Sequence, residues 1–128
     1  MNGASGDRRT ALLLIAHGSR RPEANADVEH FSREVESRGR YRIVQPCFLE
    51  LAEPGIEEGG GRCVAAGATD VILVPFLLSP GVHAIEDLGK ARDSLAARFP
   101  AVRFSLAEPL GRHPLLIEII EQRAREAE

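Results

Sequence analysis

Lysine is almost missing from this chain: Lys90 is the only one in 128 residues, and the other basic residues are scattered arginines. With a net charge of −3 at pH 7, there is no clustered Lys and Arg of the kind that neutralises a phosphate backbone. This argues against nucleic acid as the main partner. Cysteine is scarce as well. Cys47 and Cys63 form no C-x-x-C pair, and each sits in an apolar stretch, so they are expected to be buried, reduced thiols of a cytosolic protein. No apolar run approaches the ~20 residues that a membrane span requires. Residues 1–9 are polar and lack the apolar middle of a signal peptide. They read as a short disordered leader before a single domain, 10–128, and the expected location is cytoplasmic.

A phosphate loop is also absent. Gly59-Gly60-Gly61-Arg62 is glycine-rich, but it falls inside a helical pattern and no lysine follows it. The triplet should instead weaken that helix, by ~1 kcal/mol per glycine relative to alanine.

The residues present describe a regular alternation. Hydrophobic residues make up 44% of the chain, enough for a real core. Residues 11–16 (ALLLIA) are apolar throughout, as suits a strand buried on both faces. Residues 22–37 carry Ala26, Val28, Phe31 and Val35 at roughly helical spacing, with Pro22 at the start and Gly39 beyond the end. A second strand is predicted over 41–49, and Pro46 within it points to a sheet edge. Helices over 54–66, 85–99 and 113–125 alternate with strands over 70–76 and 102–106. Strict β-α alternation with short connections predicts a four-stranded parallel sheet in a three-layer αβα sandwich, flavodoxin-like, with the first and third strands central.

In such sheets ligands bind beyond the carboxyl ends of the strands. His17 directly follows the first strand and His83 comes a few residues after the third. Neighbouring strands lie about 4.8 Å apart, so two imidazoles past their ends could share one divalent ion, for which imidazole is a common ligand. Glu50, at the end of the second strand, is a third candidate ligand on the same edge. Two His and one carboxylate leave open positions on a metal. Each residue has a plainer reading: a hydrogen-bonded loop His, a solvated turn Glu. Glu86 and Asp87 suit the dipole of a helix's first turn, His113-Pro114 suits a helix start, and Ser19 has no nucleophile elbow around it and suits a helix cap.

Four segments in order resemble the small class II tetrapyrrole chelatases of the CbiX/SirB type: Ala16–Arg20 (AHGSR), Phe48–Pro54 (FLELAEP), Val74–Asp87 and Pro109–Pro114 (PLGRHP). The resemblance covers nearly the whole chain, from Ala11 to Arg123. It implies a chelatase-like αβα fold and metal insertion, of cobalt, nickel or iron, into sirohydrochlorin or a close tetrapyrrole in cobalamin or siroheme biosynthesis. It matches His17 and His83 to the family's metal-binding, catalytic histidines, and Glu50 to an acidic position near them. It also implies a homodimer with the tetrapyrrole between subunits, and no cofactor beyond the substrate metal.

The chain departs from the family's pattern at Asp87-Leu88-Gly89, where a proline commonly stands third, and in the glycine run. Ser19, Arg20, Arg21 and Arg112 are candidate substrate-binding residues, the arginines because the tetrapyrrole's carboxylates call for cations at the rim. Three other readings compete: a non-catalytic metal carrier or sensor, a phosphoryl-transfer enzyme with His17 as nucleophile, and an interaction module with no site. The second is weakened by Ala16, which stands where a histidine phosphatase places an arginine.

Overall fold

The computed structural model describes residues 8–128. Most of the expected leader, residues 1–7, lies outside the described residues. Eight elements alternate: β1 (Thr10–Ala16), α1 (Pro22–Ser37), β2 (Ile43–Phe48), α2 (Ile56–Ala65), β3 (Asp70–Pro75), α3 (Val82–Arg98), β4 (Arg103–Leu106) and α4 (Leu115–Glu126). The four strands form one parallel sheet in the order β2-β1-β3-β4, so β1 and β3 are central, as expected. Pro46 does lie in an edge strand, β2, where a missing N–H costs no ladder bond on the outer side.

The continuous apolar strands divide their side chains between two cores. Ala11, Leu13, Ile15, Val71, Leu73 and Phe104 face α2 and α3, meeting Ile56, Cys63, Leu88 and Leu95. Leu14 and Phe48 face the other way and meet Val28 of α1. The period-2 alternation of a strand makes this split, and a sheet covered on both sides lets both sets be apolar. Cys47 and Cys63 are buried and unbonded to each other. Burial pushes the Cys63 thiol up to about 11 and raises Cys47 further, so both stay protonated and inert at neutral pH.

The glycine run has a packing reason that propensity alone does not reveal. A Cβ on Gly59 would sit 2.9 Å from Leu13 Cδ1 and 3.0 Å from the Cβ of Cys47; one on Gly60 would sit 2.7 Å from Leu95 Cδ2. These glycines let α2 approach the sheet and α3, while Gly61 has only Phe99 within 4 Å, at 3.9 Å.

Boundaries differ from expectation where loop chemistry sets them. Helix α3 begins at Val82, not at residue 85, because Pro80 ends the preceding turn and Gly81 takes the N-cap position. Among the described residues no helix is long and apolar enough to cross a membrane.

Candidate metal and tetrapyrrole rim

The carboxyl ends of the strands are tied together by backbone bonds that continue the sheet past its formal limits. Leu49 N–H donates to Ala16 O at 2.9 Å and Glu50 N–H donates to His17 O at 3.1 Å. Gly18 takes φ +101°, and a Cβ there would lie 1.8 Å from the Glu50 carbonyl oxygen. Only glycine permits both that dihedral and that approach. The result is a fixed pair: His17 Nε2 lies 3.0 Å from Glu50 Oε2. The ring is thus oriented through one nitrogen by a carboxylate, with Nδ1 left for another partner, the arrangement by which carboxylates orient metal-binding imidazoles. Both side chains are more than half exposed.

His83 is placed differently from the expectation. It is not in the loop after β3 but in the first turn of α3, its side chain almost fully exposed, with Nδ1 3.7 Å from Glu86 Oε1. Glu86 and Asp87 consequently stand one turn beyond the helix start, and the first turn holds no acidic residue. Among the described residues no three His, Cys, Asp or Glu side chains are gathered into a group able to hold a metal. The structure joins His17 to Glu50 and leaves His83 turned to solvent.

The remaining candidates lie on the same rim. Ser19 Oγ accepts a hydrogen bond from Arg21 N–H at 3.1 Å; Arg21 itself is the N-cap of α1 and no side chain caps that helix, so Ser19 holds the turn before α1 and does not cap it as expected. Asn25, which the sequence reading passed over, grips Ser19 from both sides: its Oδ1 accepts the Ser19 N–H at 2.9 Å and its Nδ2 donates to Ser19 O at 2.8 Å. Arg20 and Arg21 are exposed. Arg112 is carried to the rim by its neighbour Gly111, whose N–H donates to Leu77 O at 3.1 Å. A Cβ on Gly111 would lie 1.7 Å from Leu78 O, so the close approach again needs glycine. His113 is structural, its Nδ1 accepting the N–H of Leu115 at the start of α4.

Sequence reasoning missed one property of the rim. Leu51, Leu78 and Val82 are exposed by 51%, 62% and 72%, and Ile85 is exposed as well. These are loop and first-turn residues at the ends of β2 and β3, and apolar side chains gathered beside polar ones mark a contact surface. Leu51 directly after Glu50, and Leu78 and Val82 on either side of Ser79-Pro80-Gly81 just before His83, were the available signal. An open groove of about 390 Å³ adjoins the rim, lined by Leu49, Glu57, Asp87 and Lys90 among others. A larger hollow, about 580 Å³, lies at the opposite, amino end of the strands, among Arg8, Arg9, Arg40 and Arg42.

An open parallel α/β sheet with an oriented histidine beyond its carboxyl edge defines a class of ligand-binding α/β protein whose site lies at the point where the connections diverge. The CbiX family model matches residues 11–127, and the chain belongs to that family. It is 36% identical to the chloroplastic sirohydrochlorin ferrochelatase of Arabidopsis thaliana, over 88% of this chain and 50% of the relative. It is 30% identical to the sirohydrochlorin cobaltochelatase of Methanopyrus kandleri, over 91% of this chain and 96% of the relative. Its fold superposes on the sirohydrochlorin chelatase SirB of Bacillus subtilis subspecies spizizenii in complex with cobalt, with a TM-score of 0.83 and 31% identity, over 92% of this chain and 50% of that one. The chain therefore spans about half the length of several relatives it matches and nearly all of another.

Proposed function

We propose that this chain is a metallochelatase that inserts cobalt, nickel or iron into sirohydrochlorin or a close tetrapyrrole. The observation that carries the reading is the rim itself: an imidazole fixed by a carboxylate, a second imidazole across the edge, and exposed leucine and valine side chains around them. A tetrapyrrole offers a flat apolar ring edged with carboxylates. Leu51, Leu78 and Val82 supply apolar contact for the ring, and Arg20, Arg21 and Arg112 supply cations for its edge, with Ser19 holding the turn that presents the first two. The names of the relatives, sirohydrochlorin ferrochelatases and cobaltochelatases, support this substrate and, among the metals, iron and cobalt.

Insertion requires shedding water from the ion, presenting it to the ring nitrogens and removing two pyrrole protons. His17 and His83 hold the metal as neutral imidazoles, a ligand set weak enough to release it to the macrocycle. Glu50 orients His17 and is placed to accept a proton as the ring nitrogens lose theirs, a role typically worth ~10²–10⁴-fold in rate. His83 reaches the metal by turning its exposed ring away from Glu86, a rotation that breaks only one long contact. We place the active form in the cytoplasm as a homodimer that holds the tetrapyrrole between copies.

The test is visible spectroscopy of sirohydrochlorin mixed with the protein and cobalt(II), nickel(II) or ferrous iron. The spectrum of the metallated ring should appear with wild-type protein, and His17→Ala and His83→Ala should each slow it by roughly 10²-fold or more. Wild-type rates in both variants would refute the site. Metal binding with no change in the ring's spectrum would make the protein a carrier instead.

A further inference from the structure

The chain as a whole is negatively charged, yet its arginines are not evenly spread. Arg8, Arg9, Arg40 and Arg42 line the hollow of about 580 Å³ at the amino end of the strands, and among the described residues no carboxylate lines it. The hollow reaches from Gly39, just past α1, to Ala66, just past α2. Both are small, and a Cβ on Gly39 would meet nothing within 4 Å. A recess with cationic walls concentrates positive potential on whatever enters it.

Two structural roles could account for arginines in such a place: ion pairs within the chain, and capping of helix ends. Ion pairing accounts for one of the four. Arg8 is bound to Asp70, whereas Arg9, Arg40 and Arg42 make no ion pair among the described residues. Capping accounts for none. The carbonyls of Val35 and Glu36 at the end of α1 accept the N–H groups of Arg38 and Gly39. Those of Arg62, Cys63 and Val64 at the end of α2 accept the N–H groups of Ala66, Ala68 and Gly67. Backbone bonds thus satisfy both helix ends without the arginine side chains.

The main chain beneath these arginines is fixed. Arg9 O accepts the N–H groups of Thr69 and Asp70 at 2.8 and 3.2 Å, and Arg9 N–H donates to Thr69 Oγ1 at 2.8 Å. Arg42 directly precedes β2, and the register of β2 on β1 sets it level with Thr10. Arg40 lies over the Tyr41 ring, 5.6 Å from its centroid, and spends one N–H on the Tyr41 hydroxyl. Its other donors are left for a ligand. Donors carried on paired strands are already in position, which lowers the ordering cost of binding.

We propose that this hollow is a binding site for a compact polyanion of the oligophosphate class, held by the forked donors of Arg9, Arg40 and Arg42. Guanidinium meets phosphate oxygens through two parallel hydrogen bonds. The volume falls within the roughly 300–1,000 Å³ of small-molecule sites. Ile43 and Ala66 are its apolar lining, so a flat macrocycle has little to lie against. The seven residues of β1 separate Arg9 from His17 by about 23 Å, and an occupant here leaves the carboxyl rim open to its own ligand.

Isothermal titration calorimetry of the whole chain with pyrophosphate tests the site, in about 0.15 M salt, where charges beyond roughly 8 Å are screened. Wild type should bind one equivalent with a Kd below about 1 mM. Arg9→Gln and Arg42→Gln should each weaken binding at least roughly tenfold, as the loss of a charge-assisted contact does, with circular dichroism unchanged. Arg20→Gln removes the same charge at the other end of the sheet and should leave the affinity as it was. Magnesium-free ATP in place of pyrophosphate distinguishes two sources of the phosphates: equal or tighter binding assigns a nucleotide, weaker binding a free oligophosphate. A wild type that binds neither anion overturns the proposal. So do hollow variants that bind like wild type, or an Arg20→Gln loss as large as that of Arg42→Gln, which would mean diffuse charge and no site. Calorimetry reads no metal insertion, so a chain that binds neither anion and still metallates the ring refutes this site and leaves the chelatase reading standing.

Discussion

The two faces of the sheet differ sharply in how they are built. On one, α2 and α3 bury Leu13, Leu73, Leu88, Leu95 and Cys63 completely, and Gly59 and Gly60 bring α2 closer than any larger residue would permit. On the other, α1 covers two strands, and β3 and β4 present Ile72 half-buried and Ser105 exposed. Adjacent residues of one strand thus experience a dry, close-packed interior on one side and a partly open groove on the other. Stability is concentrated on the first face.

The sharpest way to break this contrast is to truncate neighbours on β3. Leu73→Ala should lose about 2–5 kcal/mol in urea unfolding, as a fully buried leucine does. Ile72→Ala, one residue away and facing the groove, should lose about 1 kcal/mol in the isolated chain, because less area leaves water. Equal losses would mean that the second face is as well covered as the first.

A smaller effect separates the glycines of α2. Gly59→Ala should destabilise by about 1–2 kcal/mol, since the clash with Leu13 and the Cys47 Cβ outweighs the gain in helix propensity. Gly61→Ala, whose Cβ would make only an ordinary contact with Phe99, should stabilise by up to about 1 kcal/mol. Thermal melts of the two variants should move in opposite directions.

The smallest expected effect lies at the amino end of the groove. The hydrogen bond from Arg8 holds the Asp70 carboxyl below its ordinary range; burial opposes this, and Thr69 and the charges of Arg8 and Arg103 reinforce it. A carboxylate with a lowered folded-state pKa adds stability above its unfolded value, near 3.8, and that stability disappears as pH falls through the folded value. Asp70→Asn should therefore cost a few tenths of a kcal/mol at pH 7, Arg8 being 58% exposed and screened. The difference from wild type should vanish in unfolding curves taken well below pH 3.8.

Much of this fold was legible in the chain. The run ALLLIA and the stretch from Asp70 to Phe76 are apolar without alternation, and only a strand covered on both faces has that composition, so central positions for β1 and β3 followed. Pro46 marked an edge for the same reason of backbone chemistry. The rim was legible in part: His17, Glu50 and His83 were found by their places after strands. The start of α3 was misplaced because Pro80 and Gly81 read equally as loop, and that error put His83 in a loop instead of on a helix. Asn25 went unnoticed because a helical asparagine gives no sign of which turn it grips. The glycine run was read as a weakness because propensity carries no information about what lies beside a helix.

Sequence by itself determined the alternation of elements, their order in the sheet and which end of it carries the histidines, because periodicity and connection length are local or nearly so. Only the tertiary structure decided that Gly18 presses on the Glu50 carbonyl and holds His17 against that carboxylate, that Gly59 and Gly60 are spacers, and that α4 stands apart from its own sheet. Each of these depends on the distance between segments remote along the chain, and the number of atoms that fit between two packed surfaces is fixed by all of their neighbours at once.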